Sequence, residues 1–292
     1  MITPDQQVQA VERHPIFSFA DGEMGPFSNW FIRSLERVTG QPKIKKLYLD
    51  YVDDDRPPEL FWQDALGRLG IDISLRRENG SAIPKTGPVL IIANHPFGVV
   101  DGLALCALVA QVRQDYKIIT HRVLRQAPAV MDKILPIDFE ETEFALRTNL
   151  ETRRDAVKML DNGGVVVIFP SGAISVARKV VGQARDPEWK KFTAKLATRP
   201  GVTVLPFFFE GKNSSLYQMA RRFSVTLGYS LMFREICKKM YKPLSVIMRK
   251  PISPDTISNI ANKDAVTQYL RDSVYGDQPQ PDASDFDDTS AS

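Results

Sequence analysis

The sequence holds only two cysteines, Cys106 and Cys237, and three histidines, His14, His95 and His121. Two thiols cannot build a disulfide framework, and their positions carry no zinc-ligand spacing. The short supply of imidazole confines any histidine-based chemistry to three positions. Also missing is an apolar run near the ~20 residues that a membrane-spanning helix requires. Residues 1–7, Met-Ile-Thr-Pro-Asp-Gln-Gln, show neither the basic start nor the apolar stretch of a secretory signal. There is no internal repeat and no long Gly/Ser linker. These absences leave a globular, non-spanning protein of a reducing compartment.

What is present is enough to fold. Of 292 residues, 43% are hydrophobic and 25% charged, which supports a substantial core and excludes disorder throughout. The net charge of +3 conceals an asymmetry, because residues 276–292 carry five Asp and no Lys or Arg. Setting that −5 aside leaves +8 on residues 1–275. The tail is polar and nearly free of apolar groups, so it is expected to be disordered. A basic body favours anionic partners: nucleic acid, an acidic carrier protein or an anionic lipid surface. A nucleic-acid binder is disfavoured, since no reading motif or aromatic platform is recognisable.

Helical and strand patterns alternate along the chain. Phe27, Trp30, Phe31, Leu35 and Val38 fall on one helical arc with Arg33 and Glu36 opposite. A second helix is predicted over 58–69 and a strand over 71–75. Further strands are predicted at 88–93 (PVLIIA), 116–120, 134–138, 165–169 (VVVIF), 202–209 and 244–249. Helices are predicted over 102–112, 122–131, 145–160, 187–198, within 214–240 and over 263–272. The long helix at 145–160 is stopped by Asn162-Gly163-Gly164. This order predicts an α/β fold: a mixed, largely parallel central sheet flanked by helices, with an N-terminal helical membrane-associating segment. The division expected is 1–80 as a helical, amphipathic N-terminal region packing on the core, 81–275 as the α/β domain and 276–292 as the disordered acidic tail. Pro206 inside a strand pattern marks an edge, a bulge or a strand end.

Two stretches carry chemistry. In ANHPFGVVDG, His95 follows a buried strand and precedes an apolar helix, at the strand end where α/β sheets bind ligands. A neutral imidazole there could take a proton from an alcohol, and Asp101 could fix its tautomer and stabilise the imidazolium. The alternative is that Asp101 merely caps a helix beginning at Gly102. The second stretch is VVVIFPSGAIS, in which Gly172 lets backbone approach a ligand and exposed amides could hold an oxyanion. Ser171 is a poor nucleophile candidate, because the G-x-S-x-G elbow is missing.

Taken in order, these motifs resemble the glycerolipid acyltransferase family. Asn94, His95 and Asp101 match its Asn-His-x-x-x-x-Asp block; Phe169, Pro170, Gly172 and Ser175 match its Phe-Pro-Glu-Gly-Thr-Arg-Ser block. VTVLPFFFEGKNS is similar to its fourth block, and ILPID sits where its second should be. The resemblance covers roughly residues 85–252. Five residues, not four, separate His95 from Asp101; Ser171 replaces the Glu, and Ala173-Ile174 replace Thr-Arg. Losing a guanidinium from a phosphate pocket removes a charge-assisted contact, which disfavours a glycerol-phosphate acceptor. NHPFGxxDG, FPSG and EGKNS before a basic helix are similar to the subgroup of hemolysin-like and lyso-ornithine-lipid O-acyltransferases.

The resemblance implies single-step acyl transfer from an acyl-carrier-protein or coenzyme A thioester to a lyso-lipid hydroxyl, with no cofactor and no metal. His95 and Asp101 would be catalytic. Asn94, Phe97, Gly98, Phe169, Pro170, Ser171, Gly172, Ser175, Arg122, Arg125, Glu210 and Asn213 would line the substrate site. The acceptor implied is a lyso-amino-acid lipid; the alternatives are 1-acylglycerol-3-phosphate, or no reaction at all in a peripheral membrane-binding protein. Partners expected are the lipid surface and acyl carrier protein, at the cytoplasmic face of the membrane. Two basic-amphipathic stretches, Phe27–Val38 and Leu216–Lys242, could bind that surface or face the core instead. Asp53-Asp54-Asp55 reads as an exposed acidic loop, and Cys106 as a small core residue.

Overall fold

The computed structural model describes residues 34, 36–54, 56–121, 127–138, 142–177 and 182–276. His14, Arg122, Arg125, Asp55, most of the Phe27–Val38 stretch and residues 277–292 therefore lie outside the described residues.

Seven strands form one sheet: β1 (Ile73–Arg77), β2 (Val89–Ala93), β3 (Tyr116–His121), β4 (Ile134–Ile137), β5 (Val165–Ile168), β8 (Thr203–Phe209) and β9 (Leu244–Met248). A separate short antiparallel pair is made by β6 (Val176–Ala177) and β7 (Ala184–Arg185). The sheet order is β1-β9-β8-β2-β5-β3-β4. All neighbours are parallel except β8 and β9. This is the α/β architecture expected, with a mixed and largely parallel sheet.

The central strands are continuous apolar runs because both faces are covered. On β2, Val89, Ile91 and Ala93 enter one core with Leu105 and Val109 of α3 (Val99–Ala110). Leu90 and Ile92 enter the other, with Ala156 and Leu160 of α4 (Glu143–Asp161). The period of two thus divides one strand between two cores. The first core is also covered by α1 (Gln41–Asp53), α2 (Phe61–Leu69), α6 (Ser215–Phe223) and α8 (Met232–Lys239). The second is covered by α5 (Lys191–Ala197), α9 (Pro254–Ser258) and α10 (Lys263–Tyr275). The short α7 (Val225–Ser230) links α6 to α8.

Several boundaries differ from expectation. Helix α1 lies within the region 1–80 expected to be helical, at residues to which no particular helix is assigned from sequence. Ile44, Leu47, Tyr48 and Tyr51 recur at helical spacing and pack on the core, and Tyr51 meets Phe61 edge-on at 5.2 Å. Helix α3 starts at Val99, three residues before Gly102. Of the helix expected over 122–131, the described part from Pro128 to Lys133 is a 3-10 turn. Pro206 lies in the interior strand β8, with Ile92 beside it on β2. It is tolerated because β8 and β9 pair fully only from Phe207 onward. On the β9 side the Pro206 carbonyl accepts the Arg249 amide, and pairing resumes at the Val204–Ile252 bridge. Pro206 thus sits where the β8–β9 ladder is interrupted, between Phe207 and the Val204–Ile252 bridge.

Asp53 and Asp54 are exposed, with Asp54 paired to Arg68, and Cys106 is wholly buried. Among the described residues no cluster of His, Cys, Asp and Glu could hold a metal, and no helix is long and apolar enough to cross a membrane. The Leu216–Lys242 stretch divides. Leu231, Met232, Phe233 and Ile236 are buried, whereas Leu216, Met219 and Phe223 are exposed on one side of α6.

Candidate active site

Parallel strands bring the loops after β2, β5 and β8 to one edge of the sheet. His95 lies in the β2 loop. Its Nδ1 is 3.1 Å from Asp101 Oδ2, and its ring stacks on Phe169 from the β5 loop at 3.9 Å between centroids. The His95 side chain is 19% exposed, whereas that of Asp101 is 0% exposed. With Nδ1–H donated to the carboxylate, the neutral ring keeps its acceptor lone pair on Nε2.

Asp101 makes contacts of both kinds that the sequence left open, facing His95 and accepting N–H groups at a helix start, although that helix begins at Val99 and not at Gly102. It stands in the first turn of α3, and its Oδ2 accepts the N–H groups of Phe97 at 2.7 Å and Gly98 at 3.1 Å while facing His95. A helix start suits a carboxylate, because unpaired N–H groups and the macrodipole converge there. Its other oxygen, Oδ1, is buried without a hydrogen-bond partner. Burial pushes the Asp101 carboxyl upward, opposed by the bonds from His95 and the two amides.

Gly98 makes this turn possible. Its φ of 69° and ψ of −123° suit glycine, and a Cβ there would sit 2.9 Å from Ile174 Cδ1 and 3.1 Å from Met232 Sδ. Gly98→Ala is expected to destabilise the fold by about 1–3 kcal/mol through backbone strain. Denaturant unfolding of the two proteins checks this; an unchanged midpoint would contradict the geometry.

Other expected site residues are engaged by bonds within the fold. Asn94 Nδ2 donates to Phe209 O at 2.9 Å and its Oδ1 accepts Phe209 N–H at 2.7 Å, clamping β2 to the end of β8. Pro170 O accepts the Lys190 amide, and Ser171 Oγ donates to Ala173 O at 2.8 Å. The Gly172 amide, expected to face an oxyanion, donates to Phe169 O at 3.0 Å and closes the turn. The Ala173 amide is turned to Ser171 Oγ, so the bonds that shape this turn leave only the Ser171 amide of the three uncommitted. Ser175 is wholly buried and donates its N–H to His95 O at 2.8 Å. Glu210 pairs with Arg76 of β1. Asn213 is buried, with Nδ2 unpartnered.

Two charged groups near the site were not picked out by sequence reasoning. Lys239, expected on a basic surface, places Nζ 4.3 Å from the centroid of the Phe97 ring. Burial is the main cause pulling its ammonium down, opposed by Asp101. Asp186 is a buried acceptor for the His95 backbone N–H at 3.1 Å. No local pattern marks Asp186 as a site residue, because its link to His95 spans 91 positions.

The site thus presents an accessible imidazole backed by a buried carboxylate at the end of a central strand, an arrangement that can accept and return a proton. The protein is an acyltransferase: residues 74–210 match the family model described as Acyltransferase. It is 23% identical over 257 residues to the lyso-glycine lipid O-acyltransferase of Phocaeicola vulgatus, covering 80% of this chain and 88% of that protein. To the lyso-glycine lipid O-acyltransferase of Bacteroides thetaiotaomicron it is 24% identical over 258 residues, covering 80% and 90%. Among solved structures it is similar to the 1-acyl-sn-glycerophosphate acyltransferase PlsC of Thermotoga maritima, at 19% identity and a TM-score of 0.47, covering 85% of this chain and 86% of that one.

Proposed function

We propose that the protein transfers a fatty acyl group from an acyl thioester to the hydroxyl of a lyso-lipid with an amino-acid headgroup. The observation that carries the reaction is the His95–Asp101 pair, in which only the imidazole is open to solvent. His95 Nε2 takes the proton of the acceptor hydroxyl as its oxygen attacks the thioester carbonyl. Asp101 holds the imidazolium that forms. The C–S bond then breaks, and the leaving thiolate takes the proton back from His95. The developing oxyanion is assigned to the Ser171 amide, the one that the turn leaves uncommitted.

Two observations support an amino-acid headgroup over glycerol phosphate. The turn after β5 holds Ser171, Ala173 and Ile174, none of which offers a guanidinium, and Ile174 is buried. Both curated relatives carry names that specify a lyso-glycine lipid. The donor is assigned to acyl carrier protein or coenzyme A, the first matched by the basic body. Such a substrate resides in a bilayer, so we place the enzyme at the cytoplasmic face of the membrane. The exposed Leu216, Met219 and Phe223, beside exposed Arg222, are the surface suited to that contact.

The test offers the purified protein an acyl thioester with either N-(3-hydroxyacyl)glycine or 1-acylglycerol-3-phosphate. A missing charge-assisted phosphate contact is worth about 1.5–3 kcal/mol, so kcat/KM is expected to favour the glycine lipid roughly tenfold or more. A preference for the phosphate acceptor would overturn the headgroup assignment.

A further inference from the structure

Asp186 follows β7 and is 3% exposed. Its Oδ1 accepts the His95 backbone N–H at 3.1 Å and the Ser175 hydroxyl at 2.5 Å. Its Oδ2 accepts the Trp189 indole N–H at 3.0 Å. Ser175 also donates its own N–H to His95 O. The β2 loop and the loop after β5 are therefore joined twice, once directly and once through this carboxylate.

The backbone of Asp186 is anchored in turn. Its N–H donates to the Tyr275 hydroxyl at 2.9 Å, and its carbonyl accepts from Arg271 at 2.7 Å. Both partners belong to α10, so the chain of bonds runs from the C-terminal helix to the backbone of the candidate base. Burial pushes the Asp186 carboxyl upward, and the bonds from Ser175, His95 and Trp189 oppose that. Taking a carboxylate out of water is costly unless its oxygens are fully used. Here all three donors converge on it, and two of them fix the loops that flank the reacting groups.

We propose that Asp186 is a positioning residue for acyl transfer, setting the His95 backbone against the 169–175 turn so that base and thioester carbonyl meet. This rests on the reading of His95 as the base. Asp186 touches neither substrate in this account, so its loss acts on kcat and spares KM.

A misplacement of about 1 Å costs on the order of 10²-fold, so Asp186→Ala is expected to lower kcat roughly 30- to 100-fold with both KM values within about twofold. Asn at this position still offers an oxygen to His95 and Ser175, but its NH2 would meet the Trp189 N–H. Pairing Asp186→Asn with Trp189→Phe removes that conflict, and the double variant is expected to recover kcat to within about fivefold of wild type. Should Asp186→Ala not fold, Ser175→Ala cuts only the link to the second loop and is expected to lower kcat about tenfold. A folded Asp186→Ala protein with kcat within about threefold of wild type overturns the proposal, as does a loss confined to KM. So does a folded double variant with no recovery, or an unchanged kcat in Ser175→Ala. His95→Ala separates the two readings: activity there defeats the base assignment itself, whereas an inactive His95→Ala beside a fully active Asp186→Ala defeats only this one.

Discussion

Replacing His95 with alanine is expected to slow acyl transfer by about 10²–10⁴-fold, the range over which a positioned general base contributes. The fold should survive. The His95 ring stacks on Phe169 and meets the Oδ2 of Asp101. Asp101 Oδ2 keeps the Phe97 and Gly98 amides after the ring is gone, so the start of α3 stays capped. The loop itself is held through backbone atoms, by Asp186 on the N–H and Ser175 on the carbonyl. Turnover of a labelled acyl thioester, measured beside circular dichroism of the same sample, separates lost chemistry from lost structure. A folded His95→Ala protein that turns over at the wild-type rate would remove the base from the mechanism.

The parts of the molecule that sequence made legible are those encoded locally. VLIIA and VVVI became β2 and β5 because continuous apolar runs demand cover on both faces. NHPFGVVD became a turn and helix start because Gly98 and Asp101 specify one within a few residues. What stayed hidden depends on contacts between distant segments. Asn94 looked like a ligand to substrate, yet it is committed to Phe209, 115 positions away. Asp186 meets His95 across 91 positions, and no spacing rule could join them. Gly172 was read as an oxyanion donor because its freedom was visible but its bond to Phe169 O was not. Lysines masked α1: the sequence from Gln41 to Asp53 is charged on one side and packs Ile44, Leu47, Tyr48 and Tyr51 on the other.

Asp101→Asn is expected to separate activity from stability more sharply than any other single change. The amide keeps the shape of the carboxylate, and its oxygen can still accept from Phe97 and Gly98 at the helix start. What it loses is the negative charge that balances the imidazolium, and an acid-to-amide change of this kind in the serine-protease triad lowers kcat by about 10⁴. In the single-step transfer proposed above there is no covalent intermediate to stabilise, so a fall of roughly 10²–10⁴ is expected. Stability should move the other way or not at all. Burial works against the charged form of Asp101, and Oδ1 has no partner, so a neutral side chain of equal size relieves desolvation. Against that stands one buried NH2 where Oδ1 was, which costs about 1–3 kcal/mol if it stays unpaired. Measuring kcat and the thermal midpoint on the same preparation decides the matter. An Asp101→Asn protein that unfolds early and loses activity in proportion would make Asp101 a helix cap alone, while one that melts near wild type and fails to turn over leaves its charge as the thing the reaction uses.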